Sequence, residues 1–235
     1  MPKPRLLLVT RSHDVYELFC RQLRDMFADA LKLLDAAAYA RLLKATYKAI
    51  KEANPEAKVV GGAMVLADYG WAEQLLKAGG GAYMDAFSYH PYNSDPEGGD
   101  YLGTIKEMKN VLEKNGFKGP TWVTEIGWGN QDRRKGGVPE LTSAAYTVQT
   151  YAITMANPGL VDRVFFYTLI NDGFDPESGY ENMGLLSLKA QCSAKVGYVA
   201  LCAFSKILSG AKFVKSYDVG NDLRLYRFHR EADQK

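Results

Sequence analysis

The chain has 235 residues, of which 47% are hydrophobic and 24% are charged. This composition provides a substantial core and excludes a largely disordered chain, and the length suits one domain or one domain with part of a second. The formal net charge of +2 is too small to indicate a nucleic acid or an anionic membrane surface as a partner.

Cysteine usage and hydropathy narrow the class of protein further. Cys20, Cys192 and Cys202 include no close pair of the kind found in zinc or redox motifs, so we predict reduced and mostly buried thiols. The apolar run at residues 6–9 is too short for a signal peptide, and no stretch reaches the roughly 18 apolar residues of a membrane span. We expect a soluble chain without a membrane partner, and its compartment stays open because an upstream segment would be able to carry an export signal.

The predicted elements alternate along the chain. Residues 5–10 predict a short buried strand, whereas residues 11–38 show no persistent apolar stripe. From Tyr39 onwards, apolar side chains recur on one helical face until Asn54 and Pro55 end the helix. Strands are then predicted at residues 58–64, 85–92, 121–125 and 163–170, and helices at residues 71–78, 101–115, 143–156 and 194–208.

This alternation predicts parallel strands that are joined by right-handed helical crossovers. Counting residues 5–10 there are about five strands, and a closed barrel needs eight strands and about 250 residues. Residues 212–217 and 223–229 flank a turn and predict an antiparallel hairpin. We therefore predict an α/β fold: a partial TIM-type (β/α) barrel over residues 1–210, followed over residues 211–235 by the start of a truncated β-domain.

An open barrel edge has a consequence for solution behaviour. Unpaired backbone groups and an uncovered apolar face favour pairing between chains. We expect the isolated chain to dimerise through this edge or to be poorly soluble.

Glu125 is the main catalytic candidate. It follows four residues of high β-propensity and precedes Ile126, Gly127 and Trp128, which predicts a position at the C-terminal tip of a buried strand. In parallel α/β folds the ligand site forms at that edge. A rigidly held carboxylate beside an indole suits a nucleophile in a sugar-processing enzyme. The alternative is a glutamate that caps the next helix or pairs with an arginine.

Further candidates follow the neighbouring strands. A nucleophilic carboxylate stays ionised when donors bond to it, and Tyr89, His90 and Tyr92 are predicted to supply such donors. His90 is alternatively a packed core residue. With three histidines in the chain and no ligand spacing among them, neither a metal nor another cofactor is expected.

For three further residues the sequence allows both a sugar-binding role and a structural one. Trp128 offers a flat apolar face to a sugar ring, or it fills the core under its loop. Asn171 and Asp172 either bond to sugar hydroxyls or form a turn with Gly173. Residues 132–135 are predicted to form an exposed loop rather than a phosphate site.

The order of four motifs resembles a known family. The motifs are residues 39–46 with 54–62, residues 85–92, residues 124–128, and residues 165–167 with 171–173. Together they resemble the second half of a clan A glycoside hydrolase barrel, and they are most similar to family 39, the β-xylosidase and α-L-iduronidase type. The resemblance covers residues 39–230.

The resemblance implies a role for each motif. It makes the Glu125 strand the seventh of the barrel, with Glu125 as the nucleophile of a retaining mechanism. His90 and Tyr92 then follow the sixth strand, and Tyr167 belongs to the eighth. The terminal hairpin begins an accessory β-sandwich. A carbohydrate substrate and hydrolysis of O-glycosyl bonds are implied, with xylosides or uronides as the expected substrates.

The general acid departs from the family pattern. Retaining chemistry uses two carboxyl groups about 5 to 5.5 Å apart, and the family places the acid in an Asn-Glu-Pro motif after the fourth strand. Here Ser12 stands at that position, and Asp14 and Glu17 lie off it. A serine has no proton equilibrium near neutral pH. We therefore expect impaired hydrolysis, or alternatively a non-catalytic carbohydrate-binding or structural remnant. A lyase would need a lysine or metal-binding carboxylates at the strand tips, which the sequence does not show.

Overall fold

The computed structural model describes residues 35–231, apart from residues 93, 131–136, 176–177, 179–180, 189–191 and 220–222. The helices are α1 (Ala36–Ala53), α2 (Tyr69–Lys77), α3 (Tyr101–Lys114), α4 (Glu140–Met155) and α5 (Val196–Leu208), with a 3-10 helix at Gly80–Tyr83. The strands are β1 (Val60–Met64), β2 (Ala86–Tyr89), β3 (Thr121–Ile126), β4 (Arg163–Phe166), β5 (Lys212–Asp218) and β6 (Arg224–His229).

Four parallel strands form the main sheet in the order β1-β2-β3-β4. A helix follows each strand, so the predicted α/β architecture is confirmed in the described part of the chain, which forms a partial (β/α) barrel. The predicted strand at residues 5–10 and the residues Ser12, Asp14 and Glu17 lie outside the described residues. The proposed division at residue 210 stays a prediction.

Aspartates begin three of the helices. The side chain of Asp35 accepts from the N–H of Ala38 at 2.6 Å, and Asp68 and Asp100 cap α2 and α3 in the same way. Such caps satisfy backbone donors that the first turn leaves unpaired. They explain why α1 and α2 begin three and two residues earlier than the periodicity predicts.

The core lies between one face of the sheet and the helices. Phe87 and Tyr89 alternate onto that face of β2, and both are fully buried. Tyr89 therefore belongs to the core, and the prediction that it donates to Glu125 is wrong. The helices contribute the remaining fully buried apolar side chains, which include Leu75, Ile105, Met108 and Leu112.

Two strands end earlier than predicted. β2 ends at Tyr89, before His90 and Pro91, since proline has no N–H to continue the ladder. β4 ends at Phe166. The N–H of Tyr167 still bonds to the carbonyl of Ile126 at 2.9 Å, and the chain then leaves the sheet.

The terminal hairpin is confirmed as an antiparallel pair of β5 and β6. Phe213, Tyr226 and Phe228 contact one another through their ring edges. A guanidinium nitrogen of Arg224 donates to the carbonyl of Pro96 at 2.9 Å, which ties the hairpin to the loop before α3.

The prediction of buried cysteines is wrong for two of the three. Cys192 and Cys202 are free and exposed, and Cys20 lies outside the described residues. Cys202 lies on α5, an apolar helix in which Gly197 is the one buried residue. The rest of α5 is exposed or partly buried because the described chain packs mainly against the side of α5 that meets α4. None of the described helices has the length and apolarity needed to cross a membrane.

We predict that Leu112→Ala lowers the free energy of unfolding by about 2 to 5 kcal/mol, because it leaves a cavity in the packed core. Leu112 is fully buried, whereas Leu141 on α4 is 72% exposed. Leu141→Ala is the matched control and should change the free energy by less than about 0.5 kcal/mol. Urea unfolding followed by circular dichroism measures both, and equal effects would contradict this placement of the core.

Candidate active site

The candidate residues meet at the C-terminal ends of β2 and β3. Glu125 is the penultimate residue of β3, and His90 directly follows β2. The two strands are parallel neighbours, so their carboxyl ends lie at one edge of the sheet, where α/β proteins form ligand sites. Tyr92 lies two residues beyond His90.

The carboxylate of Glu125 has two polar neighbours. The hydroxyl of Tyr92 donates to Oε2 at 3.1 Å, and Nδ1 of His90 lies 3.6 Å from the same oxygen. The side chain of Glu125 is 37% exposed and that of His90 is 10% exposed. The carboxylate is thus open to a ligand, while the groups around Oε2 are held in the protein.

A β-bulge in β3 explains how Glu125 reaches this position. Val123 pairs with Val164 and Ile126 pairs with Phe166. The two pairs are three residues apart along β3 and two residues apart along β4, so β3 contains one extra residue. Strict alternation would place Glu125 on the same face as Val123, which is fully buried. With the bulge, Ile126 takes the next core position and is 1% exposed, and Glu125 is released towards the loops.

Burial sets the protonation of the two neighbours. It lowers the pKa of His90 below its ordinary value, and the charge of Glu125 opposes this only in part, so the imidazole is neutral at neutral pH. Burial, and then the charge of Glu125, raise the pKa of Tyr92 well above its usual range. The Tyr92 hydroxyl therefore keeps its proton and remains a donor to Glu125.

Thr124 is a site residue that the sequence interpretation missed. Its Oγ1 lies 2.9 Å from Nε2 of His90. Within a run of high β-propensity, a threonine reads as an ordinary strand residue. Only the register of β2 against β3 reveals the contact.

Glycine is required where the loop after β3 passes β4. A Cβ at Gly127 would overlap the carbonyl oxygen of Tyr167, so the chain beyond Glu125 lies directly against the end of β4. Gly61 and Gly62 lie within β1, as the strand predicted at residues 58–64 requires. Gly62 has a positive φ of 99° and backs onto the carbonyl of Ser88.

Trp128 is partly buried against α4. Its ring centroid lies 5.4 Å from that of Tyr146 in an edge-on contact, and its carbonyl accepts from the hydroxyl of Ser143 at 3.1 Å. The ring contact holds the indole against α4 and the hydrogen bond holds the backbone of Trp128, as the packing alternative expects. The side chain of Trp128, on the loop that follows Glu125, remains partly exposed.

Tyr167 and Asp172 form a pair beyond the end of β4. The Tyr167 hydroxyl donates to Oδ2 of Asp172 at 2.5 Å. Both residues contribute to the raised pKa of Tyr92, after burial and Glu125. Asp172 is exposed and Tyr167 is half-buried.

Asn171 is 8% exposed, and its amide bonds within the protein. Oδ1 accepts from Nζ of Lys195 at 2.7 Å and from the N–H of Gly184 at 3.0 Å, and Nδ2 donates to Asn182 at 3.3 Å. These contacts favour the structural alternative for Asn171, in which it holds the loop after β4.

Lys195 was not recognised from the sequence. Its ammonium also donates to Oδ1 of Asn130 at 3.1 Å and to the carbonyl of Asn182 at 3.0 Å. Burial lowers its pKa, against the opposing effect of Glu140. It joins the loops that follow β3 and β4, and it belongs to no local motif that would mark it.

In the part of the chain that the structure describes, no group of three or more His, Cys, Asp or Glu side chains is arranged to hold a metal ion. A cavity of 330 Å³ lies at the hairpin and is lined by residues that include Lys212, His229 and Glu231. It shares no lining residue with the Glu125 group.

Three solved structures with a similar fold are named as glycosidases. A monomeric β-xylosidase from Caulobacter crescentus CB15 is 19% identical with a TM-score of 0.59, and the match covers 94% of this chain and 50% of that one. A GH2 β-galacturonidase from Eisenbergiella tayi bound to glycerol is 16% identical with a TM-score of 0.55, covering 76% and 32%. Bacteroides uniformis β-glucuronidase 2, covalently bound to cyclophellitol-6-carboxylate aziridine, is 16% identical with a TM-score of 0.52, covering 74% and 20%.

These similarities establish the fold. The chain spans half the length of the β-xylosidase and smaller shares of the other two proteins. No curated protein sequence matches it. The family model described as the glycosyl hydrolase catalytic core matches residues 33–191, which is more than half of the chain and includes Glu125, His90 and Tyr92. The chain therefore belongs to the glycosyl hydrolase catalytic core family.

Proposed function

We propose that this chain is the C-terminal part of the catalytic barrel of a retaining glycoside hydrolase, with Glu125 as its nucleophile. The observation that carries the proposal is the position of Glu125: it lies at the bulged tip of β3, it is 37% exposed, and it accepts a 3.1 Å hydrogen bond from Tyr92. Membership of a glycosyl hydrolase family supports hydrolysis of glycosidic bonds as the reaction class.

The proposed chemistry has two displacement steps. A carboxylate oxygen of Glu125 forms a bond to the anomeric carbon, while the bond to the leaving oxygen breaks and that oxygen takes the electron pair and then a proton from solvent water. Water then hydrolyses the glycosyl ester and regenerates the carboxylate. Tyr92 and His90 both face Oε2, which leaves Oε1 for the attack.

The neighbouring residues are proposed to bind the sugar around this carbon. Trp128 contributes its free indole surface to the apolar side of the ring, since aromatic faces suit such contacts. Tyr167 and Asp172, which bond to each other, meet sugar hydroxyls from the β4 side. The amide of Asn171 is already bonded within the protein. Asn171 is therefore proposed to serve substrate binding indirectly, because it holds the loop after β4 in place.

The finer assignment follows the motif resemblance. We propose family 39 and a xyloside or uronide substrate, and the similar fold of a β-xylosidase is compatible with both. Ser12 at the acid position implies that departure of an ordinary alcohol is impaired, because no carboxyl proton is available there. A leaving group that departs without protonation bypasses this defect.

The second candidate function is carbohydrate binding without catalysis, and it is supported by the motif resemblance, in which Ser12 stands where the family has its acid. The two candidates differ in whether Glu125 forms a covalent bond to a sugar. A reagent with an activated leaving group therefore separates them without depending on an acid.

We predict that a 2-fluoro xyloside or uronide with an activated leaving group labels Glu125, because the first displacement then needs only the nucleophile. Intact-mass analysis should show the addition of one fluoroglycosyl group, and peptide mapping should locate it on Glu125. Glu125→Gln is the matched control and should remain unlabelled. A folded chain that none of several such sugars labels would remove the catalytic proposal and leave the binding alternative.

We predict that Tyr92→Phe slows this labelling by roughly 10- to 100-fold, because a hydrogen bond to a charged group contributes about 1.5 to 3 kcal/mol. The measurement is the rate of adduct formation by mass spectrometry. Tyr217→Phe, an exposed change on β5, controls for the general loss of a tyrosine hydroxyl. Equal rates for the two variants would show that the Tyr92 contact does not serve the reaction.

We also propose that a second copy of the chain covers the open edge of the sheet. Among the described strands, β1 and β4 each have one neighbour, and Phe165 on β4 is 45% exposed. All four strands are parallel, so a twofold axis along the strands brings β4 of one copy beside β1 of the other in the same direction. Such edges pair readily between chains.

We predict that light scattering finds a dimer or larger species and that Phe165→Lys shifts it towards monomer, because an edge lysine opposes strand pairing. Phe174→Lys is the control, since Phe174 is 68% exposed in the loop after β4 and outside the edge. A wild-type chain that stays a stable monomer contradicts this proposal.

A further inference from the structure

His90 lies between two consecutive residues of β3. Its Nε2 is 2.9 Å from Oγ1 of Thr124, and its Nδ1 is 3.6 Å from Oε2 of Glu125. Consecutive strand residues normally face opposite sides of a sheet. The bulge between Val123 and Ile126 interrupts that alternation. As a result, the side chains of Thr124 and Glu125 both contact the imidazole of His90.

The two contacts together determine which ring nitrogen carries the proton. An ionised carboxylate is an acceptor only, so a lone pair on Nδ1 would be repelled by Oε2 of Glu125. Nδ1 is therefore the protonated nitrogen. Because burial lowers the pKa of His90 and the ring is neutral, Nε2 keeps its lone pair. The hydroxyl of Thr124, which is able to donate or accept, is then the donor in the 2.9 Å contact.

We propose that Thr124 is a positioning residue, whose hydroxyl donates to Nε2 of His90 and thereby fixes the Nδ1–H tautomer that presents a proton to Glu125. The hydrogen bond at one imidazole nitrogen sets the protonation of the other. The part of the proposal that concerns the nucleophile rests on the proposed function, and the tautomer itself does not.

The side-chain type at position 124 suits this role. Threonine is β-branched, so its rotamer choice is restricted, and the hydroxyl is held in one direction. Among the described residues, the imidazole ring also contacts Tyr92, whose ring lies edge-on at 6.3 Å and whose hydroxyl donates to Glu125. Thr124 is therefore the residue that orients the ring from the Nε2 side.

Nitrogen-15 NMR of the imidazole tests the tautomer directly. Long-range ¹H–¹⁵N spectra of the whole chain at pH 7.5 distinguish the Nδ1–H form, the Nε2–H form and the imidazolium. The chain has three histidines, and loss of a signal in His90→Gln assigns the one at issue. We expect the Nδ1–H pattern for His90. The Nε2–H pattern or the imidazolium pattern would overturn the proposal.

Two substitutions at position 124 test the cause. Thr124→Val keeps the shape and removes the hydroxyl, so His90 should lose its Nδ1–H preference. Thr124→Ser keeps the hydroxyl and should retain that preference. An unchanged Nδ1–H pattern in a folded Thr124→Val variant would overturn the proposal. If the valine variant fails to fold, loss of the pattern in Thr124→Ser overturns it, and retention together with the wild-type pattern supports it.

Labelling by the activated fluoro-sugar connects the tautomer to the nucleophile. We expect Thr124→Val to slow adduct formation on the order of tenfold, as for other residues that orient a functional group through a second hydrogen bond, and Thr124→Ser to restore the rate. Absence of labelling in the wild type, with the Nδ1–H pattern present, counts against the proposed function alone. Normal labelling of Glu125 with the Nε2–H pattern counts against the Thr124 proposal alone.

Discussion

The bulge in β3 is the constraint on which the candidate site depends. Val123 and Ile126 are both buried, so the strand supplies two apolar side chains to the core from positions three residues apart. Between them Thr124 and Glu125 are free to meet His90. Without the extra residue, alternation would aim a carboxylate into the packed layer below the sheet, where an unpaired charge is costly. One local irregularity thus lets a single strand serve both the core and the site.

The neighbouring strands make this arrangement rigid. β2 is buried along its whole length, and His90 follows it directly. The hydroxyl of Ser88 donates to the carbonyl of Gly61 at 3.1 Å, and the N–H of Ala63 donates to that hydroxyl at 3.1 Å. The N–H of His90 bonds to the carbonyl of Met64 at 2.7 Å. The backbone at His90 is therefore fixed from β1, while its ring is fixed from β3.

The sequence predicted the order of strands and helices and the strand tip that holds Glu125, because both follow from local periodicity. The ends of the strands were harder to predict from the sequence, since they depend on partners that are distant in the sequence. Ile170, for example, leaves β4 and bridges to Leu186. Thr124 and Lys195 were missed for the same reason: their contacts are set by register and loop packing, and neither carries a motif. The exposure of Cys202 was misjudged because an apolar helix predicts burial whether or not a neighbour is present.

The groups around Glu125 form a unit that is local to two strands. Tyr92, His90 and Thr124 reach Glu125 or one another through contacts between β2, β3 and the loop after β2, and none of these contacts involves another part of the barrel. The acid is different, because retaining chemistry requires it about 5 to 5.5 Å from the nucleophile on a separate carboxyl group. In a parallel barrel the catalytic residues come from the tips of different strands. The residue at the acid position is therefore able to differ while the geometry around Glu125 stays the same. Under the proposed function, the β2–β3 unit carries the groups that serve the attacking step, and proton donation depends on a strand tip outside that unit.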